Sequence, residues 1–197
     1  MSRTRPLLAL AATLPLAGCI SFGAKPPPTL MALTAATPVA AGPGRTADDA
    51  RSVAVAIPNV QPALSTQRVM VEAGSTSIAY LKDAQWVAAP GLLFRNLLAE
   101  TITARTGRFV PDQRMTGAQP DTRLSGQLTR FGLDGPGHAV VVTFDGVIAR
   151  SGSTTLQTRR FFARVPVASE TPPSVAVALN QATNQVAGEV ADWIGPR

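Results

Sequence analysis

The sequence predicts an α+β domain, a mostly antiparallel sheet with two helices packed on one of its faces. Two observations predict it. Apolar residues recur with a period of two in some segments and near 3.6 in others, in blocks ordered strands, helix, strands, helix. Segregated blocks of this kind bury their apolar surfaces most simply as helices laid on a sheet. The last three strand-like runs are also joined by short turn sequences, the pattern of an antiparallel meander.

Each element has its own signal. Thr29 to Thr34 is short and apolar and reads as a first strand, followed by an Ala-, Pro- and Gly-rich loop up to Asp49. Ser52 to Ile57 alternates Val53, Val55 and Ile57, and Pro58 stops it. Arg68 to Glu72 and Ser77 to Leu81 flank Ala73-Gly74-Ser75-Thr76, a four-residue hairpin turn. Pro90 suits the first turn of a helix whose Leu93, Leu97, Leu98 and Ile102 share a face and whose end is capped by Gly107. Thr122 to Leu133, His138 to Arg150 and Thr154 to Val165 form the meander, joined by Asp134-Gly135-Pro136-Gly137 and Ser151-Gly152-Ser153. Asp145-Gly146 inside the middle run predicts a bulge or a kink. From Pro173, Val175, Leu179, Ala182, Val186, Val190 and Trp193/Ile194 recur at helical spacing until Gly195-Pro196. There is no internal repeat, and residues 29–197 read as one domain.

The N-terminus reads as an export signal. Arg3 and Arg5 precede an apolar run from Leu7 to Leu16, which reaches Leu16-Ala17-Gly18-Cys19. The run is about half of the ~20 apolar residues that a membrane-spanning helix requires. Leu16-Ala17-Gly18-Cys19 resembles the bacterial lipobox, which implies cleavage of residues 1–18, diacylglycerol on the Cys19 thiol and a fatty acid such as palmitate on the new amino group. Cys19 is the one cysteine of the chain, so with its thiol acylated the fold is expected to hold no disulfide and no cysteine metal site. Residues 19–28, with Lys25-Pro26-Pro27-Pro28, have the composition of a tether. In extended polyproline geometry it would reach ~30 Å.

Cleavage before Cys19 leaves 179 residues, and losing Arg3 and Arg5 lowers the net charge from +6 to +4. A mild positive charge on an exported, lipid-anchored chain suits anionic headgroups better than nucleic acid.

Residues Ile78 to Leu93, with Tyr80, Trp86, Pro90, Leu92 and Leu93, resemble the "Y…W…P…LL" core of the ABC-type transport auxiliary lipoproteins of the PqiC type. The Leu-rich helix that follows, the strands Leu124 to Phe131 and Arg159 to Phe162, and an Ala-rich helix ending near a Trp are similar too. The resemblance spans nearly all of the chain after Cys19. It departs at Thr29-Leu30-Met31-Ala32-Leu33, where the family usually carries an aromatic. It implies a non-enzymatic outer-membrane lipoprotein on the periplasmic side, with a fold similar to the N-terminal domain of TolB. It further implies homo-oligomers and partnership with an inner-membrane ABC transporter and an MCE-type periplasmic protein in moving lipid, phospholipid or sterol-like. Ile20 is not the aspartate that in many Gram-negative bacteria signals inner-membrane retention.

No catalytic constellation stands out. His138 is the one histidine, and it follows Gly135-Pro136-Gly137, where a polar residue entering a strand is the simpler reading. A lipoprotein hydrolase would depend on it. No Gly-x-Ser-x-Gly or Gly-x-x-x-x-Gly-Lys motif occurs, and the one adjacent acidic pair, Asp48-Asp49, sits in a loop. No metal or cofactor is expected. Tyr80, Trp86 and Pro90 read first as core and as a rigid strand-to-helix turn, and second as a partner platform. Arg150, Arg159, Arg160 and Arg164 read first as solvated strand charge and second as a docking surface for an acidic partner or for headgroups. The alternative function is a periplasmic lipoprotein holding a small apolar ligand, which calls for a pocket lined by Leu93, Leu97, Val186 and Val190.

Overall fold

The structure, a computed structural model, describes residues 29–42, 46–112 and 119–196. Leu16, Ala17, Gly18, Cys19 and the tether fall outside them. Along the chain come β1 (Val53–Val55), β2 (Asn59–Val60), β3 (Arg68–Glu72), β4 (Ile78–Gln85) and α1 (Pro90–Thr106). They are followed by β5 (Thr122–Asp134), β6 (Ala139–Arg150), β7 (Gln157–Pro166) and α2 (Pro172–Ile194).

The sheet is built around β5. On one side β5 pairs antiparallel with β6, from Thr122 opposite Arg150 to Asp134 opposite Ala139. β7 then closes the predicted meander, with Ala139 opposite Pro166 and Ile148 opposite Gln157. Along the other side of β5 run β1, β2 and β3 in succession, all parallel to it. They amount to one interrupted strand. Pro58 and Pro62 lack the N–H a ladder needs, and residues 62–64 form a single tight turn between β2 and β3. β4 folds back on β3 through the predicted hairpin, Ala73 N–H donating to the Ser77 carbonyl at 2.9 Å. The sheet is mixed, and mostly antiparallel.

One face of this sheet carries both helices. Leu128, Phe144, Ile148, Phe161 and Ala163 point into it and meet Phe94, Leu98 and Ile102 of α1 and Leu179, Val186 and Val190 of α2 in one core. Full burial of one such side chain is worth about 1.5–3 kcal/mol. The helix caps follow the sequence: Pro90 opens α1, and Gly107, at φ 68°, closes it by donating to the Thr103 carbonyl at 3.1 Å.

Several expectations are corrected. The Thr29–Thr34 segment is not a strand: Met31 alone forms a bridge, parallel to Trp86, and the chain then leaves the sheet for α2. Side chains of α2 take its backbone groups, which removes the need for a second strand. The Ser52–Ile57 run shortens to Val53–Val55: Ser52 bridges Phe109 instead, and after a last bond from Ala56 N–H to the Leu124 carbonyl the chain leaves the ladder ahead of Pro58. Asp145-Gly146 is neither bulge nor kink; both residues pair in register with β5 and β7. A Cβ on Gly146 would lie 3.1–3.2 Å from the rings of Phe144, Phe161 and Trp193. The glycine makes room for that aromatic cluster. The extra residue falls on the partner strand at Thr129, where the β5–β6 register shifts.

Candidate functional site

The core side chains proposed for a ligand pocket fill the interior instead. Leu97, Val186 and Val190 are buried in the core cluster, and Leu93 packs against it. A cleft of about 550 Å³ lies elsewhere, polar and bounded by Asp121, Arg123, Arg150 and Ser151. Another of about 280 Å³ lies between the β3–β4 hairpin and β5, beside Met70, Glu72, Ile78 and Arg130.

Trp86 is buried with its ring 5.3 Å from Phe131, and Pro90 is buried at the start of α1. Tyr80 is half-buried under the Arg68 guanidinium, 4.0 Å above the ring, and its hydroxyl reaches the Ala63 carbonyl at 3.4 Å. His138 sits in the β5–β6 turn at φ 44°, its side chain 76% exposed and Nδ1 3.0 Å from Glu170 Oε1. A ring so open to water and so placed serves as a tie between that turn and the start of α2.

The four arginines do not form one patch. The pleat sends successive side chains of β7 to opposite faces. Arg159 therefore lies on the helix side, over the Phe161 ring at 5.0 Å, while Arg160 and Arg164 lie on the face that carries no helix. Arg150 ends β6 at the far side, near Thr122. On the helix-free face Arg160 grips Asp145 at 2.6 and 2.9 Å, and Arg164 grips Asp134 at 2.6 Å. Arg130 pairs with Glu72 beside them. Hydrogen bonding to Arg160 holds the Asp145 carboxyl below its ordinary range, and Arg164 does the same to Asp134. Phe162 stands between Arg160 and Arg164 on this face, 50% exposed. The surface is therefore charge-balanced, with an aromatic at its centre.

Sequence reading missed three features. Arg130 and Phe162 belong to the same face as Arg160 and Arg164, which alternation along β7 and its pairing through β6 could have shown had the register been known. Arg95 is buried within α1, its guanidinium donating to the carbonyls of Val55 at 3.2 Å and Pro111 at 3.0 Å. Asn180 and Asn184 of α2 clamp the N-terminal arm.

Comparison with known proteins adds a family. A family model described as ABC-type transport auxiliary lipoprotein component matches residues 32–191. Among solved structures, protein XCC0632 from Xanthomonas campestris, assigned to family DUF330, is 20% identical with a TM-score of 0.67. The alignment covers 84% of this chain and 94% of that one. A crystal structure of an uncharacterized protein aligns at 18% identity and a TM-score of 0.64, over 74% and 94% of the two chains. These likenesses show a shared fold. Among curated proteins, none matches.

Proposed function

Because the chain belongs to the family of ABC-type transport auxiliary lipoprotein components, we propose that it is a non-enzymatic docking domain, held at a membrane by acyl chains on Cys19. In this reading residues 1–18 are removed, residues 19–28 form the tether, and residues 29–197 form one domain. The family match over residues 32–191 is the observation that carries it, and the lipobox-like Leu16-Ala17-Gly18-Cys19 ahead of it supports the anchor. Each buried CH₂ of an acyl chain contributes ~0.8 kcal/mol, so two or more chains hold the domain to the bilayer essentially permanently.

The outer membrane, on its periplasmic side, is the proposed address, since Ile20 rather than aspartate follows Cys19. The partners are an ABC transporter and an MCE-type periplasmic protein, and the cargo is lipid. The proposed contact is the helix-free face around Phe162, where Arg160 and Arg164 can exchange their carboxylates for those of a partner. The filled core between sheet and helices supports docking over storage of an apolar ligand in that interior.

Photo-crosslinkers placed at Phe162 and Arg160 in intact cells test the reading. Recovery of an MCE-type protein is the expected outcome. Recovery of unrelated envelope proteins alone, from a stably folded and acylated chain, contradicts it.

A further inference from the structure

Three stretches of the chain, 29–42, 54–67 and 84–94, contain no charged residue. The fold brings the second and third of these, and the start of the first at Met31, to one sheet edge. The 54–67 stretch carries the end of β1, then β2 and the 62–64 turn, along the side of β5 away from β6. The 84–94 stretch carries the end of β4, the loop after it and the first turn of α1. The arm joins them at Met31, whose N–H donates to the Gln85 carbonyl at 2.8 Å and whose carbonyl accepts from Val87 N–H at 2.9 Å. The Gln67 amide reaches the Val87 carbonyl at 3.3 Å. The Ile57 and Val60 side chains come within 3.5 Å of where a Cβ on Gly91 would stand.

Apolar side chains are left in water at this edge. Leu30 is 51% exposed, Ile57 48%, Val87 48% and Leu92 40%. All the described ion pairs lie outside the three stretches. An exposed apolar grouping of this kind marks a contact with a protein or a membrane.

The length of chain ahead of the fold decides between them. Leu30 is eleven residues from Cys19, a reach of at most ~40 Å when fully extended. The arm enters the fold within the apolar edge itself, so an acyl anchor at Cys19 draws the domain to the bilayer by this edge. The three stretches themselves bring no ion to desolvate at the headgroup boundary, while Arg68, Lys82 and Asp83 flank them where charges stay hydrated, and the edge gains from burying Leu30, Ile57, Val87 and Leu92. We propose that the edge formed by Leu30, Ile57, Val87 and Leu92 rests on the membrane surface, turning β7 at the opposite edge of the sheet away from the bilayer. The inference rests on the proposed acylation of Cys19.

The test uses the full, acylated chain. With the Cys19 thiol consumed by lipid, one introduced cysteine is the single labelling site. Val87→Cys, Leu92→Cys and, as the distant control, Phe162→Cys are each labelled with a polarity-sensitive fluorophore. The proteins are reconstituted in phosphatidylethanolamine–phosphatidylglycerol vesicles containing doxyl-labelled lipid. At positions 87 and 92 the emission should shift to shorter wavelength and lose intensity to the doxyl quencher, with neither change at 162. Unquenched probes at 87 and 92 on a chain whose intact mass includes the acyl groups overturn the inference while leaving the tether in place. A blue shift that grows with protein concentration, without doxyl quenching, also overturns it and assigns the edge to a second copy of the chain. An intact mass without acyl groups removes the anchor itself, and the proposed function with it.

Discussion

Asp134 and Asp145 show what individual residues contribute on the helix-free face. Their guanidinium partners lower both carboxyl pKa values relative to the unfolded chain. The unfolded state therefore binds more protons in the acid range, and stability falls as pH falls. The contribution is present above the unfolded carboxylate value of ~3.9 and is lost as pH drops through the lower folded values. Both pairs are partly exposed, so each effect is modest. Urea midpoints measured from pH 6 to pH 3 should drop more steeply for the natural chain than for Asp134→Asn/Asp145→Asn. Equal slopes would contradict the assignment. A larger effect is expected at Gly132, where a Cβ would stand 2.3 Å from the Met70 carbonyl oxygen. Gly132→Ala has to push β3 away from β5, at a cost of about 1–3 kcal/mol, as overpacked cores show, and a shift in urea midpoint measures it. Neither Gly132 nor Gly146 could be understood from its own segment. The first faces a parallel strand some sixty residues upstream, and the second faces rings from β6, β7 and α2.

Among the elements, the legible ones were those whose signals are local. The meander, both helices, the 73–76 hairpin turn and the Gly107 cap follow from period, turn residues and capping chemistry. The interrupted parallel column β1–β2–β3 was not legible, because a two-residue strand has no period and its pairing partner lies far along the chain. The N-terminal arm was misread for a related reason: Leu30, Met31 and Leu33 look like a strand, yet beyond Met31 the arm is held through side chains of α2. Thr34 N–H donates to Asn180 Oδ1 at 2.9 Å, and Ala36 N–H donates to Asn184 Oδ1 at 2.7 Å. The Asn184 amide donates to the Thr34 carbonyl at 2.9 Å. With i and i+4 spacing, the two asparagines form a clamp on one helix face. Each hydrogen bond is worth about 0.5–1.5 kcal/mol. Asn180→Ala/Asn184→Ala should speed amide hydrogen exchange at Thr34 and Ala36 while leaving β5 and β6 protected. Unchanged exchange at the arm would mean that the Met31 bridge alone holds it.

In the whole molecule the two sheet edges differ in chemistry. One receives the arm beside three stretches without charge, with Lys82 and Asp83 of β4 next to them, and the other, β7, is rich in arginine and flanks the helix-free face. Composition suggested a mild positive charge but not its placement, since the four arginines of β6 and β7 are divided by the pleat and by position along the strands. The candidate docking face could be read from sequence only in part, as Arg160 and Arg164. Phe162 and the Arg130–Glu72 pair join it through strand register. The proposed lipobox, Leu16-Ala17-Gly18-Cys19, is by contrast entirely a matter of local sequence, and the proposed anchoring depends on it. Intact mass spectrometry of protein extracted from membranes tests that dependence most directly. The predicted species begins at Cys19 and carries a diacylglycerol together with an amide-linked fatty acid, and a species that retains residues 1–18 with an unmodified Cys19 thiol would contradict the account.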